Sequence, residues 1–168
     1  PYPELSDTGP INILITGGSQ GARLFGTVIP SAIISLPEAQ RARLNVVQQA
    51  REEQLDAVRT AYREAGIKAT VESFFSDMQD RLAAAHLVIA RSGAGTVTEL
   101  AIAGRPSILI PLGIAMDDHQ TANAEGMVTG AAADVVPEPV FTVETFAPLL
   151  LERITNAGVL RARAKAAW

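Results

Sequence analysis

Short apolar runs recur along this chain, each followed by a polar or small-residue turn and then by a stretch with helical spacing. Residues 11–16 (Ile-Asn-Ile-Leu-Ile-Thr) read as a buried strand. The turn after them, Gly-Gly-Ser-Gln-Gly-Ala-Arg at 17–23, opens a helix in which Pro30 predicts a kink or a restart. A second strand is expected at 44–49, then a charged amphipathic helix over 51–65, with Leu55, Val58, Ala61 and Tyr62 on one face and Gly66 as cap. Residues 68–74 alternate as a third strand, and Ser76 or Asp77 can cap a short helix reaching Ala85. The run 87–90 is a fourth, buried strand, and the turn 92–95 leads into a helix from Val97 to Ala103, closed by Gly104 and Pro106. A strand at 107–110, a helix from Asp117 to about Thr129 stopped by Gly130, and a short strand at 133–136 follow. Thr142 caps a helix running to about Asn156, and Gly158 sets off a basic closing helix. The first ten residues, with three prolines and a glycine, read as a linker to a domain spanning 11–168.

Strands alternate with helices throughout, which predicts an α/β fold: a Rossmann-like doubly wound parallel sheet covered on both faces. In such sheets ligands sit outside the carboxyl ends of the strands, so the polar turns should converge on one crevice. Composition agrees. A chain of 168 residues, 48% apolar and 5% aromatic, suits one domain whose sheet is covered by small-residue helices. A net charge of −4 without a basic block argues against a nucleic-acid partner. The absence of cysteine excludes disulfides, thiolate metal sites and cysteine nucleophiles. The longest apolar segment, 107–116, is broken by Pro111 and Gly113 and is too short to span a bilayer. No signal-peptide pattern is present, and with no initiating Met the chain reads as a piece of something longer.

The chemistry centres on Arg-Ser-Gly-Ala-Gly-Thr-Val-Thr-Glu at 91–99. A small-residue turn opening a helix presents unsatisfied N–H groups at the positive end of the dipole, a ready anion site. Glu99 lies one turn deeper, on the side of Gly95 and Thr96, and an acceptor-only carboxylate suits two neighbouring hydroxyls. Phosphate and diol together describe a nucleotide. The plain alternative is an acid that merely favours the helix dipole. The glycine turn at 17–23 fits neither common nucleotide motif. Gly21 is followed by Ala22 and Arg23 rather than Lys and Ser/Thr, and Thr16 stands where a dinucleotide fingerprint needs its first glycine. The second strand ends in Gln48 and Gln49, not in the acid that would hold an adenosine ribose. Gly17 to Gly21 can still bring backbone N–H donors and the Ser19 hydroxyl near a phosphate or phosphate-linked sugar. Gln120 and Asn123 share a helix face, and their amides suit sugar hydroxyls, although Asp117-x-x-Gln120 also matches a capping box. His119 is not read as catalytic, and no motif points to a metal or cofactor.

Taken together, Gly-Gly-Ser-Gln-Gly-Ala-Arg at 17–23, Phe-Phe-Ser-Asp-Met at 74–78, the 91–99 motif, Gly-Arg-Pro at 104–106 and Asp-Asp-His-Gln-Thr-Ala-Asn-Ala at 117–124 carry a resemblance. In order and spacing the chain resembles the C-terminal, donor-binding half of a bacterial transferase family. Its members move N-acetylglucosamine from UDP-N-acetylglucosamine to undecaprenyl-pyrophosphoryl-N-acetylmuramyl-pentapeptide (lipid I), giving lipid II for peptidoglycan. The resemblance implies one half of a two-domain, GT-B type, inverting glycosyltransferase at the cytoplasmic side of the bacterial membrane. It implies that Gly18 and Ser19 approach the diphosphate and that the main chain of Phe75 reads the uracil. Ser92, Gly93, Ala94, Gly95, Thr96, Val97 and Thr98 would line the diphosphate and sugar, Glu99 would take the ribose hydroxyls, and Gln120 and Asn123 would meet the sugar. Two departures go with it. The family's amino-terminal half, with its acceptor site, membrane-facing patch and catalytic base, is not in this sequence, and neither is the Asn-Pro-x-Arg segment that precedes the donor domain. Gln48-Gln49-Ala50-Arg51 also stands where the family more often has His-Gln, a small residue and glycine. The fragment is therefore expected to be soluble, to bind the donor without a metal and to transfer nothing alone, with acceptor and membrane contacts made by the missing half. The other readings are a non-catalytic nucleotide-sugar-binding subunit that needs a partner chain, and a UDP-sugar epimerase-like domain.

Overall fold

The computed structural model describes residues 1–17, 23–113 and 119–167. Six strands, β1 (Ile11–Thr16), β2 (Leu44–Gln49), β3 (Lys68–Glu72), β4 (Leu87–Ala90), β5 (Ser107–Leu109) and β6 (Ala133–Val135), form one sheet in the order β3-β2-β1-β4-β5-β6. Every pairing is parallel. The order reverses between β1 and β4, and that switch point is where such sheets open a crevice at their carboxyl ends.

Helices α1 (Arg23–Ile34), α2 (Glu38–Arg41), α3 (Leu55–Glu64), α4 (Met78–Ala84), α5 (Ala94–Ala103), α6 (His119–Thr129), α7 (Val143–Ile154) and α8 (Ala157–Ala166) complete the described elements, with 3-10 turns at Glu52–Gln54 and Glu138–Val140. One sheet face, with Ile13, Ile15, Val46 and Ile89, packs against Phe25, Tyr62 and Phe146 from α1, α3 and α7. The other, with Leu14, Val88 and Leu109, packs against Leu100 of α5 and Met127 of α6. Each large side chain so buried contributes about 1.5–3 kcal/mol.

Several local expectations are corrected. Pro30 does not restart a helix, since α1 runs through it with the ring buried, and proline there removes only the bond to the residue 26 carbonyl. Strand β3 stops at Glu72, and only Val71 in it is buried, as befits an edge strand. Gly158 lies inside α8, whose cap is Asn156, with Oδ1 accepting from Val159 N–H at 3.0 Å. Gly104 takes the left-handed position after α5 (φ 64°), but after α6 that position falls to Ala131 (φ 58°), not Gly130. Residues 1–10 pack against the domain. Leu5 is buried, and Arg43, Arg105 and Arg161 donate to the carbonyls of Gly9, Pro1 and Leu5, which straps the segment across the amino ends of the strands.

Candidate functional site

A pocket of about 590 Å³ opens at the switch point. Leu14, Val88 and Leu100 form its apolar floor, and three walls rise from the carboxyl ends of different strands.

The first wall ties β1, β2 and the loop after β3 together through Gln49. Its Oε1 accepts from Thr16 Oγ1 at 2.8 Å and its Nε2 donates to the Ser73 carbonyl at 3.2 Å. Gln48, one residue earlier, faces the opposite side of the sheet and is fully buried. Beyond Ser73, Phe75 turns inward while Phe74 stays 75% exposed at the rim, so the two do not pack together in the core. The N–H of Phe75 has no acceptor among the described residues.

The second wall is the mouth of α5. This helix starts at Ala94, three residues before the expected Val97, with Gly93 as N-cap and a first bond from Val97 N–H to the Gly93 carbonyl at 3.0 Å. The glycine turn is thus the first helical turn, and the N–H groups of Ala94, Gly95 and Thr96 are left without intrahelical acceptors. Gly93, Gly95, Thr96 and Glu99 line the pocket. A Cβ at Gly93 or Gly95 would meet nothing within 4 Å, so glycine there is not demanded by packing and leaves the space open. Ala94, Val97 and Thr98 are outside the lining. Val97 packs against the core, and Thr98 Oγ1 donates to the Ala94 carbonyl at 2.9 Å.

The third wall is the loop after β5 and the start of α6. Gln120 lines the pocket, and its Oε1 accepts from Leu112 N–H at 2.8 Å. Ser92 is fully buried and donates to the Gln120 carbonyl at 2.6 Å, while Asn123 Nδ2 donates to the Ser92 carbonyl at 3.1 Å. Ser92 and Asn123 therefore brace this wall and do not line the pocket. Gly18, Ser19 and Asp117 lie outside the described residues.

Sequence reasoning missed Phe74 as a rim residue, Gln49 as a tie and the pairing of Arg91 with Glu138. Arg91 stood inside the quoted motif, but its partner is 47 residues away. Among the described residues no cluster of His, Asp or Glu could hold a metal ion, and no helix is long and apolar enough to cross a membrane.

A doubly wound parallel sheet with a polar crevice at its switch point places the chain among the doubly wound α/β domains. Comparison with known proteins narrows this. Residues 12–167 match the model of the glycosyltransferase family 28 C-terminal domain, and the chain belongs to that family. It is 49% identical over 170 residues to the UDP-N-acetylglucosamine--N-acetylmuramyl-(pentapeptide) pyrophosphoryl-undecaprenol N-acetylglucosamine transferase of Rhodospirillum centenum, covering all of this chain and 45% of that protein. Its counterpart in Maricaulis maris is also 49% identical, over 166 residues, covering 99% of this chain and again 45% of the relative. Among solved structures, MurG of Acinetobacter baumannii superposes with a TM-score of 0.85 at 35% identity, covering 99% of this chain and 49% of that one. WaaG, a glycosyltransferase of lipopolysaccharide biosynthesis, shares the fold, with a TM-score of 0.67 at 20% identity. The sheet is that of the C-terminal half of a GT-B glycosyltransferase, and the chain spans about half the length of these relatives.

Proposed function

We propose that this chain is the donor half of an inverting N-acetylglucosaminyltransferase, and that its pocket holds UDP-N-acetylglucosamine. In this reading the whole protein transfers N-acetylglucosamine to lipid I, giving lipid II. The observation that carries it is the convergence of the α5 mouth, Glu99 one turn further on and Gln120 on one pocket. The N–H groups of Ala94, Gly95 and Thr96 receive the diphosphate, and the Glu99 carboxylate accepts from the ribose hydroxyls. The open N–H of Phe75 reads the uracil edge. Gln120 spends its Oε1 on Leu112 and so keeps its NH₂ for a sugar oxygen.

In the reaction an acceptor hydroxyl attacks the anomeric carbon, the bond to the β-phosphate oxygen breaks, and UDP departs with the bonding electrons. Negative charge grows on that phosphate as the bond opens. Fixed N–H donors at a helix mouth stabilise it without reorganising, and this is the electrostatic share of catalysis that this half supplies. The base and the acceptor pocket belong to the other half of the whole protein.

Calorimetric titration with UDP, UDP-N-acetylglucosamine and NAD tests the reading. Both uridine ligands are expected to bind and NAD is not, since the pocket offers Gln49 where an adenosine ribose needs an acid. NAD binding tighter than UDP overturns it.

A further inference from the structure

Arg91 and Glu138 form a pair that the nucleotide reading leaves unused. Arg91 follows β4 directly, lines the pocket and is 8% exposed. One of its terminal nitrogens, Nη1, donates to Glu138 Oε2 at 2.7 Å and reaches the Ile110 and Pro111 carbonyls at 3.3 Å each. Its guanidinium lies over the Phe25 ring at 5.1 Å, so the cation is held from below by the core. The same Oε2 of Glu138 accepts from Gly113 N–H at 3.2 Å. The pair therefore grips residues 110, 111 and 113 from both ends. Between those anchors sits Leu112, whose N–H is the donor to Gln120 Oε1. Ser92, next to Arg91, holds the Gln120 carbonyl. Among the described residues, the bond made by the Gln120 side chain is to the loop that Arg91 and Glu138 hold.

We infer that the Arg91–Glu138 pair is a positioning device for sugar recognition: by fixing the 110–113 loop it aims the Gln120 amide, and so sets how well the sugar is distinguished from bare UDP. The inference rests on the nucleotide-sugar reading of the pocket. It assigns neither residue a contact with the sugar. Glu138 acts through Leu112 and Gln120, and its loss releases the loop while the α5 mouth and Glu99 stay in place.

The test is the ratio of affinities for UDP-N-acetylglucosamine and UDP, measured by calorimetry on this chain. A common effect of the uncovered Arg91 charge on the diphosphate cancels in that ratio. In Glu138→Ala the ratio is expected to fall about fivefold to tenfold, the worth of one neutral hydrogen bond. In a Gln120→Ala background the same change should alter the ratio by less than about twofold, since both substitutions remove one interaction. Glu138→Gln, which keeps an acceptor oxygen for Arg91 and Gly113, should restore most of the ratio. If Glu138→Ala does not fold, Glu138→Asp, one methylene shorter, is expected to shift the ratio the same way. Hydrogen exchange at the Leu112 amide gives a readout free of any ligand and should quicken in the Ala and Asp variants. An unchanged ratio, or full additivity with Gln120→Ala, overturns the inference. If the parent binds neither uridine ligand, the reading of the pocket fails, while unchanged Leu112 exchange separately refutes the positioning.

Discussion

The hydroxyl of Tyr62 donates to Oε1 of Gln48 at 2.5 Å, with both side chains buried beneath α1 and α3. Gln48 completes its set by donating from Nε2 to the Phe25 carbonyl at 3.2 Å. Burial pushes the Tyr62 phenol well above its usual range, which favours the protonated, donating form. Tyr62→Phe leaves a buried amide oxygen without a partner and is expected to cost about 1–3 kcal/mol of stability. Urea unfolding measures that cost. UDP affinity should not move, because this pair lies on the sheet face away from the pocket.

Glu99 offers the opposite test. Its side chain is exposed on α5, so Glu99→Ala should change stability by less than about 0.5 kcal/mol. If the carboxylate holds the ribose hydroxyls, UDP affinity drops by about 1.5–3 kcal/mol, the range for hydrogen bonds to a charged group. Calorimetry reads this directly, and a mutant that binds UDP like the parent would reduce Glu99 to a surface acid.

His86 makes stability depend on pH. Its Nδ1 accepts the Asn12 N–H at 2.9 Å, which fixes the proton on Nε2, and that group donates to the Glu4 carbonyl at 2.9 Å. Burial, together with the nearby Arg105, lowers its pKa below the ordinary 6.5. The folded chain therefore holds His86 neutral where the unfolded chain begins to protonate it. Stability from this site is complete above about pH 6.5 and is lost as the pH falls from there toward the lower folded value. Thermal unfolding between about pH 5 and 8 should show this slope, and His86→Gln should flatten it.

Ala131 occupies a left-handed conformation at φ 58°, closing α6 with a bond from Ala132 N–H to the Met127 carbonyl at 2.8 Å. A side chain there costs roughly 1–2 kcal/mol relative to glycine, part of which glycine returns as unfolded-chain entropy. Ala131→Gly is expected to stabilise the chain by about 0.5–1 kcal/mol, seen as a higher urea midpoint.

These tests also mark where the sequence was readable. The six strands and the long helices were, because each announces itself by local period and a nearby turn. The α5 mouth was legible as a motif, but its helix start was misplaced, since glycines at 93 and 95 look like loop and only the first bond from Val97 to Gly93 reveals the helix. Gln120 and Asn123 were rightly put on one helix face, yet their amides proved partly spent on Leu112 and Ser92. The packing of residues 1–10 was not legible, because what holds the segment is a set of arginines at 43, 105 and 161, far along the chain. Phe74 read as the end of the third strand, but that strand stops at Glu72 and leaves its ring in solvent. Contacts spanning tens of residues have no local signature.

The three walls of the pocket are delivered by three separate crossovers: the one leaving β3, the one leaving β4 and the one leaving β5. Each is a contiguous stretch of sequence anchored on its own strand end. A substitution, insertion or exchange within the stretch after β5 therefore reshapes the wall carrying Gln120 while leaving the frame that holds Phe75, and its bonds to Arg91 and Ser92 carry part of the change to the α5 mouth. The sheet makes the site modular. A chimera that swaps residues 110–123 alone is the smallest unit of such a change.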